Sequence, residues 1–199
     1  MAKTFWLFLF GLFCSIPCSA ETPAWDFFAG YSFQRVDVRQ YYKSTSIIYT
    51  FRDRYINMDG FELSITENMN RWFGGTLQFT GHFETPVVTG FANSKSSNRE
   101  RTFSIMYGPR FSHRMSFGMP FGQVLFGAGH TSVAVIPTGP HASDTTFEMA
   151  VGGGFDLNLG RKVAIRALQV QYLPTNQVGT KKDKFQASAG IVFNLGKLH

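Results

Sequence analysis

The chain has 199 residues and a formal net charge of +6, with 44% hydrophobic and only 16% charged residues. Its 16% aromatic content, 22 Phe and 20 Gly exclude an intrinsically disordered chain, which would be poor in aromatics. Only one long apolar run is present, so a bundle of membrane helices is excluded as well.

That run is N-terminal. Lys3 precedes apolar residues 5–16, and Cys18-Ser19-Ala20 forms a small-residue site before Glu21. This is the layout of a secretory signal peptide over residues 1–20, with the mature domain at residues 21–199. The run is shorter than the ~20 apolar residues a spanning helix needs. Phe13 and Pro17 stand before the two cysteines, where a lipoprotein signal would place a small residue. Cleavage removes both Cys14 and Cys18, which excludes disulfides and thiol catalysis in the mature protein. An exported, cysteine-free, aromatic-rich chain suits a Gram-negative envelope.

Along the mature chain, apolar residues alternate with small or polar ones at the strand period. Trp25, Phe27, Ala29, Tyr31 and Phe33 share one face, with Asp26, Phe28, Gly30, Ser32 and Gln34 on the other. Phe61, Leu63 and Ile65 oppose Glu62, Ser64 and Thr66. Phe73, Leu77, Phe79 and Phe83 oppose Gln78, Thr80 and His82. Phe103, Ile105, Tyr107 and Phe111 oppose Thr102, Ser104 and Arg110. Residues 118–130 are apolar on both parities, which leaves their facing open. Phe147, Met149, Val151, Phe155 and Leu157 oppose Glu148, Gly152, Gly154 and Asp156. Residues 162–172 change parity between Ile165 and Leu168, a change that a bulge would reconcile. Phe185, Ala187, Ala189, Ile191 and Phe193 oppose Gln186, Ser188, Gly190 and Asn194. The pattern predicts about eight strands.

The connections alternate in length. Residues 36–59, 85–99, 131–145 and 174–182 read as long loops, whereas residues 68–70, 112–116 and 158–160 read as tight turns. Transmembrane barrels have long loops at one end and short turns at the other, and an even strand number puts both termini at the turn end, expected to be periplasmic. The character of the faces points the same way. The apolar face carries no charge away from strand ends, where a lipid-facing charge would cost about 2–4 kcal/mol. Trp25, Phe83, Phe103, Tyr172 and Phe193 suit an interfacial girdle. The fold expected is all-β: a closed, up-and-down antiparallel transmembrane β-barrel of about eight strands. Its lumen would hold only its own side chains, with Glu62 and Glu148 pairing with Arg110 and Arg166 in a polar network.

The stretches Gly152-Gly153-Gly154-Phe155-Asp156, Arg161 to Arg166 and Gln169 to Thr175 resemble the outer-membrane β-barrel family of OmpA- and OmpX-like proteins. Residues 188–193 fit its last strand, and Asn70-Arg71-Trp72-Phe73-Gly74 and Tyr107-Gly108-Pro109-Arg110-Phe111 fit its inner turns. The resemblance covers nearly the whole mature chain and implies an integral barrel, with no catalytic residues carried over. No peptidoglycan-binding domain follows, and the last aromatic, Phe193, precedes Asn-Leu-Gly-Lys-Leu-His rather than ending the chain.

Chemistry was sought at His130-Thr131-Ser132. Two residues apart on a strand share a face, so His130 can activate the Ser132 hydroxyl, with Glu148 as the acidic orienter. The spacing is similar to the His-x-Ser of lipid A 3-O-deacylases, although Val133 stands where that family has Asn. The remaining histidines lack metal-ligand spacing, and neither a metal nor a cofactor is expected. Arg39, Lys43, Arg52, Arg54, Lys95, Arg99, Lys181 and Lys182 place the basic excess in the loops, suited to lipopolysaccharide phosphates through charge-assisted hydrogen bonds. The expectation is a monomeric outer-membrane barrel inserted by the barrel-assembly machinery, with lipid and lipopolysaccharide but no nucleic acid as partners. Its role would be envelope integrity or surface contact, with a narrow channel and a lipid A hydrolase as the alternatives.

Overall fold

The computed structural model describes residues 22–37, 55–84, 87–89, 95–136, 141–177 and 180–198. The signal-peptide segment lies outside the described residues, as do Arg39, Lys43, Arg52 and Arg54. The described residues form nine strands: β1 (Trp25–Asp37), β2 (Tyr55–Asn68), β3 (Phe73–Glu84), β4 (Val87–Thr89), β5 (Lys95–Ser112), β6 (Gly118–Ile136), β7 (His141–Asn158), β8 (Val163–Gln177) and β9 (Thr180–Leu195). Eight of them are staves of a closed antiparallel barrel. β1 pairs with β9, and β3 pairs with β5, so no edge of the sheet remains open. β4 is a three-residue piece that pairs with Lys95–Ser97 and is not a stave. Lipid offers no hydrogen-bond partner, and closure is what satisfies every stave's backbone there.

The faces are inverted relative to a soluble barrel. Phe147 is 69% exposed on the outside, while Arg110 and Arg166 are 2% and 1% exposed within. On β2 the outward positions between Glu67 and Asp59 are Ile65, Leu63 and Phe61. At ~3.3 Å per residue and a ~40° tilt, that interval spans roughly 20 Å of axial height, close to the apolar band of a membrane barrel. Arg101 and Asp183 mark the loop-side limit on β5 and β9. The girdle residues Trp25, Phe83, Phe103, Tyr172 and Phe193 are all exposed.

Both open facings are resolved. On β6, Phe121, Gln123 and Leu125 face the lumen, and Phe126 and Ala128 face out. On β8, Arg166 pairs with Gly190 and Gln169 with Ser188, so Ala167 and Leu168 together oppose one residue of β9. This bulge turns Arg166, Gln169, Gln171 and Leu173 all inward.

Two expectations need correction. The third and fourth expected loops are largely strand in the described residues: β6 runs to Ile136 and β7 starts at His141, and β8 and β9 are joined within residues 177–180. Lys95 and Arg99 therefore lie in β5, and Lys181 and Lys182 in β9. Above the lipid both faces of a hairpin meet water, so pairing continues where apolar alternation has stopped. The lumen is also less polar than expected. Met106, Leu125, Ala150 and Leu173 form one buried apolar cluster, and Phe28, Ala164 and Val192 another. These occupy space between the polar side chains of the lumen.

Candidate functional site: the lumenal network

Inward-facing residues of all eight staves meet across the barrel. Nearest the turn end, Asp156 on β7 is shared by two arginines. Arg166 donates from Nε to Oδ1 at 2.7 Å and from NH2 to Oδ2 at 3.1 Å, and Arg110 donates from NH2 to Oδ2 at 3.0 Å. Arg110 also donates to Thr66 Oγ1, which is bonded in turn to Thr76. The guanidinium of Arg110 lies 3.7 Å from the Phe121 ring centre, and that of Arg166 lies 4.2 Å from Phe28 and 4.5 Å from Phe121. These cation–π contacts offset part of the desolvation of two adjacent cations.

Gln169 carries the network upward. It accepts from Arg166 NH1 at 2.7 Å and donates to Glu62 Oε1 at 2.7 Å. The other oxygen of Glu62 accepts from Gln186 at 2.9 Å and from Ser188 at 2.6 Å. Glu62 thus has amides and a hydroxyl as partners rather than a cation, and one amide separates it from the arginine pair. Beside it, Gln78 and Gln171 exchange reciprocal hydrogen bonds of 2.9 and 3.0 Å, and Gln123 donates to Gln78 at 3.1 Å. Closer to the loop end, Ser32 Oγ is 2.9 Å from His82 Nε2 and 3.1 Å from Ser188 Oγ.

A second charged centre occupies the loop half. Glu148 Oε1 accepts from Lys184 Nζ at 2.6 Å, and Oε2 accepts from Ser104 at 2.6 Å. Gly129 makes room for it, since a Cβ there would lie 2.3 Å from the Glu148 carboxyl carbon. Gly154 does the same for the Phe121 ring. At the turn-end mouth, Asp26 accepts from Asn68 at 2.9 Å and pairs with Arg114 at 3.5 Å.

Glu62, Arg110, Glu148 and Arg166 are therefore all lumenal, but they do not pair with one another as expected. Asp156 takes both arginines, and Lys184 takes Glu148. The reason is geometric: strand tilt offsets inward positions that share a sequence level, so partners are set by closure of the barrel. The inward parity of Asp156 is legible in the sequence, whereas the roles of Lys184 and Gln169 emerge only from the fold. For Gln169 the signal is hidden by the bulge, which shifts its parity.

The His130, Ser132 and Glu148 set is not brought together. His130 is exposed on the outside, with Nδ1 2.8 Å from Thr145 Oγ1. Ser132 shares that outward parity, and Glu148 lies on the other side of the sheet in its pair with Lys184. On the outer wall, Tyr31 donates to Asp59, and Tyr172 donates to Asp183 at 2.7 Å, tying rings of the belt to acids at its loop-side edge.

No family model matches the chain, and no curated protein matches it in sequence. Its fold does match solved structures. Ail, the attachment invasion locus protein of Yersinia pestis, is 22% identical, with a TM-score of 0.55 over 86% of this chain and 99% of that one. Neisserial surface protein A gives a TM-score of 0.64 at 12% identity, over 86% of this chain and 97% of its own. OprG from Pseudomonas aeruginosa gives 0.56 at 14% identity, over 89% and 99%. The chain has the fold of small eight-stranded outer-membrane β-barrels.

Proposed function

We propose that this protein is an integral barrel of a bacterial outer membrane, not an enzyme, which contributes to envelope integrity and makes surface contacts through its loop end. The turn end and both termini face the periplasm. The observation that carries the reading is the lumen: its carboxylates at Glu62, Glu148 and Asp156 are engaged by donors from facing staves, and apolar clusters fill the gaps between. A lumen packed in this way supports a plug rather than a conduit. The basic positions at the loop end, Arg39, Lys43, Arg52, Arg54, Lys95, Arg99, Lys181 and Lys182, suit anionic groups such as lipopolysaccharide phosphates. Polyanion contact has a parallel in Ail, one structure of which holds the heparin analogue sucrose octasulfate.

The test has three arms. Membrane fractionation with heat-modifiable gel migration should place a folded barrel in the outer membrane, and planar bilayers should show no stable conductance. Lipid A from cells carrying the wild-type protein or Ser132→Ala should have the same acyl pattern. Discrete conductance would establish the channel alternative. Loss of an acyl chain that depends on Ser132 would establish the hydrolase.

A further inference from the structure

Two of the three turns combine exposed apolar side chains with cations free of ion pairs among the described residues, and the remaining turn adds a further exposed ring. The first, after β2, exposes Met69 and Trp72 beside Arg71. The second, after β5, exposes Phe117, with Arg114 largely buried in its ion pair with Asp26. The third, after β7, exposes Leu159 beside Arg161 and Lys162. Arg71, Arg161 and Lys162 are exposed and form no ion pair among the described residues.

The apolar members belong to the lipid-facing surface. Trp72 stacks on Phe111 with ring centres 6.0 Å apart, and Phe117 packs on Phe155 at 5.9 Å; both partners are outward residues of the staves. The rings of the turns thus continue the belt downward, and the cations lie at its lower margin. At the loop-side margin the described outward charges are mixed, with Asp59 and Asp183 alongside Arg35 and Arg101. At the turn end one exposed carboxylate, Glu67, stands against Arg71, Arg161 and Lys162.

We infer that the turn end is a collar for anionic phospholipid, with Arg71, Arg161 and Lys162 holding headgroup phosphates while Trp72, Phe117 and Leu159 enter the acyl region. Complementary charge selects the lipid class, and the apolar side chains fix its depth. The inference rests on the membrane reading above and adds headgroup selectivity at one end.

Trp72 is its own reporter. With Trp6 and Trp25 changed to Phe, it is the one tryptophan left of the three in the chain. The protein is reconstituted in nanodiscs of mixed phosphatidylglycerol and phosphatidylcholine, brominated on one lipid and then on the other. Quenching of Trp72 should show phosphatidylglycerol favoured about three- to tenfold at low salt, falling to near parity in 1 M NaCl. The triple change Arg71→Gln, Arg161→Gln, Lys162→Gln should abolish the preference at low salt. Equal quenching by both lipids in the parent protein overturns the collar and leaves the membrane reading intact, as does a preference that survives both salt and the triple change. Absence of quenching by either lipid overturns the membrane reading as well.

Discussion

Arg166 holds Asp156 through two hydrogen bonds from the adjacent stave, directly below the bulge at Ala167 and Leu168. The bulge matters to the pair because it lets Arg166 and Gln169, three residues apart, both point inward. One side chain binds Asp156, and the other links Arg166 to Glu62.

Asp156→Asn is therefore expected to be severe. It leaves two guanidiniums side by side at the turn end without their shared counter-charge, at a cost of about 3–5 kcal/mol. The measurement is the urea midpoint of reversible folding into lipid vesicles. A change below ~1 kcal/mol would show that the aromatic rings and amides suffice to hold the arginines.

Lys184 and Glu148 form an ion pair in the loop half that a double-mutant cycle can measure. Lys184→Met alone leaves a buried carboxylate without its cation and should cost about 3 kcal/mol. Adding Glu148→Gln should restore most of that loss, because Ser104 and an uncharged amide can coexist in an apolar setting. Additive losses in the same vesicle assay would mean that the pair is not coupled.

Gly129 tests the packing around that pair. Gly129→Val would drive the Glu148 carboxylate from its place against Lys184, with an expected loss of about 1–3 kcal/mol. Gly160 has no neighbour near its side-chain direction, and Gly160→Ala serves as the matched control with little change expected.

The lipid-facing band predicts a depth profile. Arginine at Leu63 or Ile105, mid-belt, should cost about 2–4 kcal/mol, whereas arginine at Thr145, at the loop-side margin, should cost about 0–1 kcal/mol. Equal penalties at all three positions in vesicle folding titrations would contradict the band as placed here.

Much of this protein was legible without coordinates. The period-two alternation of Phe61, Leu63 and Ile65 against Glu62, Ser64 and Thr66 identified staves and the side each residue faces, because facing along a strand is a local property. The lack of charge on the apolar side identified lipid as its solvent, and the parity change near Leu168 pointed to the bulge. What escaped was nonlocal. Residues 118–130 are apolar on both parities, and only pairing with β5 and β7 decides that Phe121 and Leu125 face inward. Strand extension beyond the membrane escaped as well, since β6 and β7 carry no apolar alternation from Thr131 to Ser143.

The amino-acid order alone determined a closed, inverted barrel and the inward side of six of its eight staves. Only the tertiary structure decided who meets whom there: Asp156 with two arginines, Lys184 with Glu148, and His130 separated from Glu148 by the thickness of the sheet. Partners across a lumen depend on tilt, register and the pairing of β1 with β9, and none of these is encoded in any single stretch of chain.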